Sequence, residues 1–230
     1  MGLDFICLGA QKAGTTWLYH ELKKHPQCQM PKIKELRFFD PYPCKNLNKY
    51  LKNFQSDLVS GDMTPEYSMG ENTPKQIYEL FPNIKLFMIL RNPIDRAFSN
   101  YRMSLYLGSM SDKVPFIKHF RKNHRFIATK GYYVKQIKNY MNYFELHNNL
   151  KVFFYDDLLE DPIKYFYSIC DFLKIERLHS CEINKWNESH YKDDGLIISN
   201  KDEKEVASFY KDSNDELYEL LKNKWILTWK

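Results

Sequence analysis

Four short apolar runs, separated by stretches with helical periodicity, are the feature that most constrains the fold of this 230-residue chain. The runs are predicted to be strands at residues 4–8, 58–62, 84–90 and 152–155. Helices are predicted at residues 15–24, from 93 onward, and at 132–146, 162–173 and 203–222. Strands that alternate with helices favour a parallel sheet covered by helices on both faces. The pattern therefore predicts a three-layer α/β fold.

Nothing in the sequence divides this pattern into separate domains. There is no repeat, low-complexity tract or linker rich in Pro, Gly or Ser, so a single domain over residues 1–230 is predicted. No apolar run reaches the roughly 20 residues that a membrane-spanning helix needs, and the first strand begins too early for a signal peptide. The chain has five cysteines, an odd number, and no two of them have C-x-x-C spacing. Reduced thiols and a cytoplasmic location are therefore expected.

The formal net charge of +5 bears on the kind of ligand. This mild excess suits a ligand with several phosphates and falls short of a nucleic-acid-binding signature. We predict no nucleic-acid or membrane partner. In parallel sheets, ligands bind beyond the carboxyl ends of the strands, so the loops that follow the predicted strands are the candidate sites.

The loop after the first strand has the composition of a phosphate-binding loop. It reads Gly9-Ala10-Gln11-Lys12-Ala13-Gly14-Thr15-Thr16. Its glycines have the spacing of a Walker A loop, but Thr15 stands where that motif needs lysine. Backbone N–H groups, the helix N-terminus and the two threonine hydroxyls can still bind a phosphate. Lys12, in mid-loop, would reach a shorter leaving group than a Walker lysine reaches. The alternative is a plain glycine turn that joins strand and helix.

A second candidate phosphate site follows the third predicted strand. Arg91 ends that strand, Pro93 suits the first position of a helix, and Ser99 lies two turns further along. Side chains seven or eight residues apart share a helix face, so Arg91 and Ser99 can converge on one anion. Arginine supplies a forked donor and serine a neutral one. Arg96 is equally compatible with a helix-supporting role.

These segments resemble the sulfotransferase family, and the resemblance runs through nearly the whole chain. Residues 9–18 are similar to the family's 5′-phosphosulfate-binding loop, G-x-Q-K-x-G-T-T-x-L. Residues 34–39 are similar to the K-E-x-x-F-F segment of carbohydrate-type and bacterial members, and residues 61–67 to their G-E-x-[TS]-P-x-Y turn. Residues 91–101 resemble the element that binds the 3′-phosphate of the donor.

The resemblance implies a P-loop-type fold and a defined reaction. A sulfuryl group would pass from 3′-phosphoadenosine 5′-phosphosulfate to an acceptor hydroxyl or amine, leaving adenosine 3′,5′-bisphosphate. The donor-binding residues implied are Gln11, Lys12, Ala13, Gly14, Thr15, Thr16, Trp17, Arg91 and Ser99. No metal is expected, since the loop itself would hold the leaving phosphate.

Glu35 is the candidate catalytic base, because its segment stands where the resembling enzymes keep their catalytic carboxylate. A hydroxyl that attacks sulfur has to lose its proton to such a group. Lys12 would offset the charge that develops on the bridging oxygen of the departing phosphate. His25 and Asp40 are the alternative bases.

Two departures from the heparan-type members concern the acceptor. Arg37 stands where those enzymes commonly have histidine, and Met63 stands where they tend to have lysine. These differences favour a small-molecule or more apolar acceptor as an alternative to a glycan.

Two other functions stay open at this point, a P-loop kinase of small molecules and a non-catalytic nucleotide-phosphate-binding protein. The missing Walker lysine and metal-binding aspartate count against the kinase.

Overall fold

The computed structural model describes residues 2–39, 46–54, 57–109, 111, 114–122, 127–177 and 195–229. Within these ranges the strands are β1 (Phe5–Gly9), β2 (Gly61–Met63), β3 (Lys85–Leu90) and β4 (Leu150–Phe154). The α-helices are α1 (Thr15–Lys24), α2 (Leu47–Leu51), α3 (Thr73–Leu80), α4 (Pro93–Tyr106), α5 (Phe116–Lys122), α6 (Tyr133–Met141), α7 (Tyr155–Glu160), α8 (Pro162–Leu173) and α9 (Asn200–Leu221).

The four strands form one parallel sheet in the order β2-β1-β3-β4. Ile6 of β1 lies opposite Asp62 on one side and Leu86 on the other, and Met88 of β3 lies opposite Val152. The two central strands β1 and β3 are almost wholly buried, as strands covered on both faces should be. The predicted α/β fold, with a central parallel sheet between layers of helices, is confirmed.

Aromatic side chains pack the helices against this sheet. The Trp17 ring of α1 lies 6.0 Å from the Tyr165 ring and 6.3 Å from the Phe166 ring of α8. Phe172 of α8 reaches the sheet, with its ring 6.2 Å from that of Phe87. Each such pair contributes about 0.5–1.5 kcal/mol beyond the area it buries. These contacts hold α1, and the loop that precedes it, against the strands.

The chain forms two compact units. The first comprises Met1–Leu90 and Ile137–Asn187 and contains the whole sheet. The second comprises Arg91–Gln136 and Glu188–Lys230. The assignment of residues 1–230 to a single domain stays a prediction.

The second unit has its own core, in which α9 packs on the turn before α6. Tyr210 donates a hydrogen bond to the Ala128 carbonyl at 2.8 Å, and a Cβ on Gly131 would lie 2.7 Å from the Tyr210 ring. Arg96 of α4 is fully buried and donates to the Ile127 carbonyl. Arg96 therefore supports the fold from inside this unit.

Two strands, β2 and β4, differ from their predicted bounds by more than one residue at one end. β2 begins at Gly61 rather than at residue 58, and Leu58 is 41% exposed instead of buried in the sheet. β4 ends at Phe154, because Tyr155 begins α7. Short apolar runs fix the existence of a strand better than they fix its ends.

Helix length and the state of the cysteines can be given for the part of the chain that the structure describes. In that part, no helix is both long and apolar enough to cross a bilayer. Cys7, Cys28 and Cys170 are free and buried, and burial raises the pKa of Cys7 and Cys28 to about 12. At neutral pH these two are therefore thiols rather than reactive thiolates. Cys44 and Cys181 lie outside the described residues.

Candidate active site

The loop between β1 and α1 has a backbone shape that depends on its glycines. Gly9 has φ +138°, and a Cβ there would lie 2.8 Å from the Pro65 carbonyl oxygen. Gly14 has φ +86°, and its Cβ would lie 3.0 Å from the Tyr155 ring. A side chain at either position would be strained by conformation and by contact. Lys12 also has a left-handed backbone, with φ +71°, an arrangement often found at functional sites.

The N-terminus of α1 is open to an anion. No side chain caps the helix at Gly14, and the first turn contains no acidic residue. The first N–H groups of a helix have no partner within it, and its macrodipole makes this end positive. Thr15 is buried and Thr16 is exposed. The Trp17 side chain is only 1% exposed, so any contact of this residue with a bound phosphate would come from its backbone N–H.

Glu35 lies in a segment outside the helices and strands, between two cations. One carboxylate oxygen is 3.0 Å from Lys34 Nζ, and the other is 3.4 Å from Arg37 Nη2. The Glu35 side chain is 32% exposed. The two contacts orient the carboxylate and leave it accessible to a ligand. Arg37 is more exposed and has φ +54°.

Behind this segment, Asp62 of β2 is fully buried and accepts hydrogen bonds from three hydroxyl groups. Thr64 donates at 2.8 Å, Tyr67 at 2.7 Å and Tyr50 at 3.1 Å. Burial raises the pKa of Asp62 to about 6, although these hydrogen bonds act in the opposite direction. Burial and the neighbouring Asp62 charge also raise the pKa of Tyr67 and Tyr50.

The raised pKa of Asp62 predicts a pH dependence of stability. The folded state binds this proton more tightly than the unfolded chain, so the free energy of unfolding should fall as pH rises from about 4 to about 6. A shift of this size corresponds to about 3 kcal/mol. Urea unfolding of the wild type and of Asp62→Asn should show their difference in stability changing by this amount across that window. A difference that stays flat between pH 4 and 7 would contradict the assignment.

One turn connects the glycine loop with the Glu35 segment. The Pro65 carbonyl approaches Gly9, and the neighbouring Thr64 Oγ1 accepts a hydrogen bond from the Arg37 N–H at 3.2 Å. The loop and the acidic segment therefore pack on the same short stretch of chain. Both belong to the first unit.

Arg91 and Ser99 belong to the second unit. Arg91 follows β3 directly, is half-buried, and its carbonyl accepts a hydrogen bond from Tyr133 at 2.8 Å. Asn92 caps α4 by accepting from the Ile94 N–H at 2.9 Å, and Ser99 is half-buried on the same helix. The convergence of Arg91 and Ser99 on one phosphate stays a prediction, as do the roles of the loop residues.

The alternative base His25 has a structural explanation. It is 2% exposed, and its Nδ1 accepts a hydrogen bond from the Gln27 N–H at 3.1 Å. Nε2 therefore carries the proton, and it donates to the Glu176 carbonyl at 2.9 Å. Both ring nitrogens are engaged by main chain. Asp40, the other alternative, lies outside the described residues.

Among the residues that the structure describes, no group of three or more His, Cys, Asp or Glu side chains could hold a metal ion.

Met63, which stands where heparan-type members tend to have lysine, is fully buried in β2, opposite Cys7. The departure from lysine at this position therefore falls on a residue packed in the core.

Asp62, Thr64 and Tyr67 were not among the residues predicted to be functional. A signal was present, since an acidic residue ends an apolar strand candidate and is followed by hydroxyl residues two and five positions later. A buried carboxylate is retained only where such partners satisfy it. Spacing alone did not reveal that the partners also reach back to the Glu35 segment.

The fold is a parallel α/β sheet in which a glycine loop and the segment that carries Glu35 pack on one turn, an arrangement suited to transfer of a group from a phosphate-containing donor. A family model described as the sulfotransferase domain matches residues 3–222, and the chain belongs to the sulfotransferase family. The resemblance stated from sequence is confirmed.

Individual relatives agree with this membership. The membrane-associated sulfotransferase kil1 of Dictyostelium discoideum is 33% identical over 44% of this chain and 23% of its own length. The mouse heparan sulfate glucosamine 3-O-sulfotransferase 6 is 27% identical over 75% of this chain and 52% of its own length. The chain thus spans about half or less of these curated relatives.

Solved structures share the fold. A sulfotransferase from Alicyclobacillus acidocaldarius is 22% identical, covers 100% of this chain and 99% of its own, and superposes with a TM-score of 0.82. Mouse sulfotransferase SULT7A1, solved in complex with PAP, is 17% identical, with a TM-score of 0.52 over 94% of this chain and 65% of its own.

Proposed function

We propose that this protein transfers the sulfuryl group of 3′-phosphoadenosine 5′-phosphosulfate to an acceptor hydroxyl or amine. The observation that carries the proposal is the turn after β2, which contacts Gly9 of the glycine loop and Arg37 beside Glu35. A loop suited to the leaving phosphate and the chain segment that carries Glu35 are thereby packed on one element. Membership of the sulfotransferase family supports the same reaction.

In the proposed step, the acceptor oxygen forms a bond to sulfur while the bond from sulfur to the 5′-phosphate oxygen breaks. Glu35 takes the proton of the acceptor hydroxyl as general base. The bisphosphate leaves with additional negative charge on the former bridging oxygen. Lys12, at a left-handed position in mid-loop, stabilises that charge as it develops.

The two phosphates of the donor are assigned to the residues that the sequence predicts for them. Its 5′-phosphate is assigned to Gln11, Lys12, Ala13, Gly14, Thr15, Thr16 and the backbone of Trp17. Arg91 and Ser99 are assigned to the 3′-phosphate, which separates this donor from ATP. No metal takes part in the proposed step, because loop amides and Lys12 neutralise the phosphate.

The acceptor is proposed to be a small molecule or a glycan. The mouse relative named above is a heparan sulfate glucosamine 3-O-sulfotransferase, which favours keeping a glycan in the proposal. Arg37 is the exposed cation beside Glu35, with 56% of its side chain accessible, and it would meet the acceptor first. A cytoplasmic location and a single domain over residues 1–230 complete the proposal. The free, buried thiols of Cys7, Cys28 and Cys170 suit a reducing compartment.

Donor choice is testable by thermal shift. Adenosine 3′,5′-bisphosphate at a hundredfold excess over its Kd should stabilise the protein by about 2.7 kcal/mol. For a domain of this size, that free energy corresponds to a rise in Tm of about 5–10 °C. ATP with magnesium, and AMP, should raise Tm much less, since neither carries the 3′-phosphate assigned to Arg91. Arg91→Ala should remove most of the shift.

Arg121→Ala is the matched control in the same unit. Arg121 is exposed and pairs with Glu205 at 2.6 Å, so its loss should leave the bisphosphate shift intact. A larger shift with ATP and magnesium than with the bisphosphate would contradict the proposed function and favour a P-loop kinase. Binding of the bisphosphate without any sulfuryl transfer, across a panel of alcohols, phenols, amines and sugars, would favour a non-catalytic binding protein.

A further inference from the structure

The three backbone N–H groups that directly follow Glu35 are all held by side chains of a single turn. The Leu36 N–H donates to the Asp62 carboxylate. The Arg37 N–H donates to Thr64 Oγ1 at 3.2 Å, and the Phe38 N–H donates to the Tyr67 hydroxyl at 2.6 Å. No helix or strand includes these residues, so these hydrogen bonds take the place of a regular element.

Asp62 fixes the direction of the two hydroxyl groups that make these contacts. Thr64 donates to one carboxylate oxygen at 2.8 Å and Tyr67 donates to the other at 2.7 Å. Each hydroxyl proton is thus committed to the carboxylate, which leaves the oxygen lone pairs free to accept from the main chain. Asp62 and Thr64 are 0% exposed and Tyr67 is 1% exposed, so water does not compete.

The free energy needed to bury the Asp62 carboxylate indicates that this residue does more than fill the core. A fully buried carboxylate is expensive to desolvate, and apolar residues of similar volume often replace a buried ionic group without loss of stability. An apolar side chain at position 62, however, would leave the Leu36 N–H without its acceptor and both hydroxyls without direction. The geometry of the chain after Glu35 is what the carboxylate specifically provides.

We propose that Asp62, Thr64 and Tyr67 form a positioning group that sets the location of the Glu35 carboxylate for proton transfer. The inference rests on the proposed function, in which Glu35 is the base. The three residues touch neither acceptor nor donor in this role and act only through the main chain of residues 36–38. Misplacement of a catalytic group by about 1 Å can cost about 100-fold in rate.

Two tyrosines supply a matched pair of variants. Tyr50 and Tyr67 both donate a hydroxyl hydrogen bond to the same oxygen of Asp62, at 3.1 Å and 2.7 Å. Only Tyr67 also accepts from the Phe38 N–H. Tyr67→Phe and Tyr50→Phe therefore remove the same kind of bond to Asp62, while one of them alone releases the segment after Glu35.

With an aliphatic alcohol acceptor, Tyr67→Phe should lower kcat by about 10–100-fold. Tyr50→Phe should lower it by less than about threefold. The bisphosphate-induced rise in Tm should match the wild type in both variants, since neither side chain is assigned to the donor. Combined with Glu35→Gln, Tyr67→Phe should add almost no further loss, because both changes remove the same contribution.

Equal losses of kcat in the two tyrosine variants would overturn the inference. It would also be overturned if Tyr67→Phe lowered the kcat of the Glu35→Gln enzyme as much as that of the wild type. If Tyr67→Phe does not fold, Thr64→Val replaces it, because this change releases the Arg37 N–H, and the same outcomes apply. Failure of the proposed function is distinguishable, because it appears as a wild type without bisphosphate shift or sulfuryl transfer. Failure of the positioning role appears in an active wild type that is impaired by Glu35→Gln.

Discussion

Replacing Glu35 with glutamine is expected to lower kcat with an aliphatic alcohol by about 10²–10⁴-fold, the usual range for loss of a general base. With an acidic phenol the loss should be much smaller, because a phenol can ionise without help near neutral pH. The rise in Tm caused by adenosine 3′,5′-bisphosphate should not change, since Glu35 is assigned to the acceptor. Steady-state rates with both acceptors, and the thermal shift, measure all three.

Glu79→Gln makes the same chemical change at an exposed position of α3, where the glutamate pairs only loosely with Lys75 at 3.7 Å. It should keep the rate of the wild type with both acceptors. A Glu35→Gln enzyme with full activity on the aliphatic alcohol would refute the assignment of the base. Loss of donor binding in that variant would instead identify Glu35 as a partner of the glycine loop.

Lys12→Ala is expected to lose about 10²–10³-fold in kcat, the range observed when a single donor to a developing charge is removed. The Kd for the intact donor, measured without acceptor, should rise far less, because the proposed contact strengthens only as the bridging oxygen becomes charged. Turnover and donor titration on the same preparation separate the two effects.

Lys75→Ala provides the control, because Lys75 is the exposed partner of Glu79 on α3. This change should alter neither turnover nor binding affinity. Equal losses of turnover and of affinity for the intact donor in Lys12→Ala would make Lys12 a simple phosphate ligand. The transition-state role assigned to it would then be wrong.

The sheet could be predicted from sequence because its strands are buried on both faces. Residues that lie inside a parallel sheet form nearly continuous apolar runs, and β1 and β3 have them. α8 was equally clear, since Pro162 opens it and the helix ends at Leu173 as predicted. The ends of β2 and β4 were less clear, because both strands are short and lead directly into turns or helices.

Shorter helices escaped prediction although each carries local signals. α7 begins with Asp156 and Asp157 in its first turn, where negative charge favours a helix, yet it follows β4 without a linker. α3 has Pro74 in its first turn. The long helix α9, by contrast, was predicted. It begins at Asn200, three residues before its predicted start, because Ser199 accepts from the Asp202 N–H at 3.1 Å and caps it.

The geometry of the candidate site was predictable where one stretch of chain carries it and not where distant stretches meet. The glycine loop is a single segment, so its glycine-dependent shape and its place at the start of α1 could be expected from composition and spacing. The support of Glu35 joins residues 36–38 to a turn that starts at Asp62, and spacing does not encode such a pairing. Sequence also could not decide between a reactive and a structural His25, which its two main-chain contacts explain.

The shared turn has a consequence for recombining acceptor specificities among members of this family. A chimera that exchanges only residues 35–39 would keep Thr64 and Tyr67 of this protein. The main chain of the exchanged segment would then have to bind hydroxyl groups that are positioned for the original segment. Residues 35–39 would therefore have to be exchanged together with residues 62–67. The inner boundary of this pair of segments is Gly9, because the Pro65 carbonyl leaves that position no room for a side chain. Acceptor modules should accordingly be portable only between members that keep glycine there.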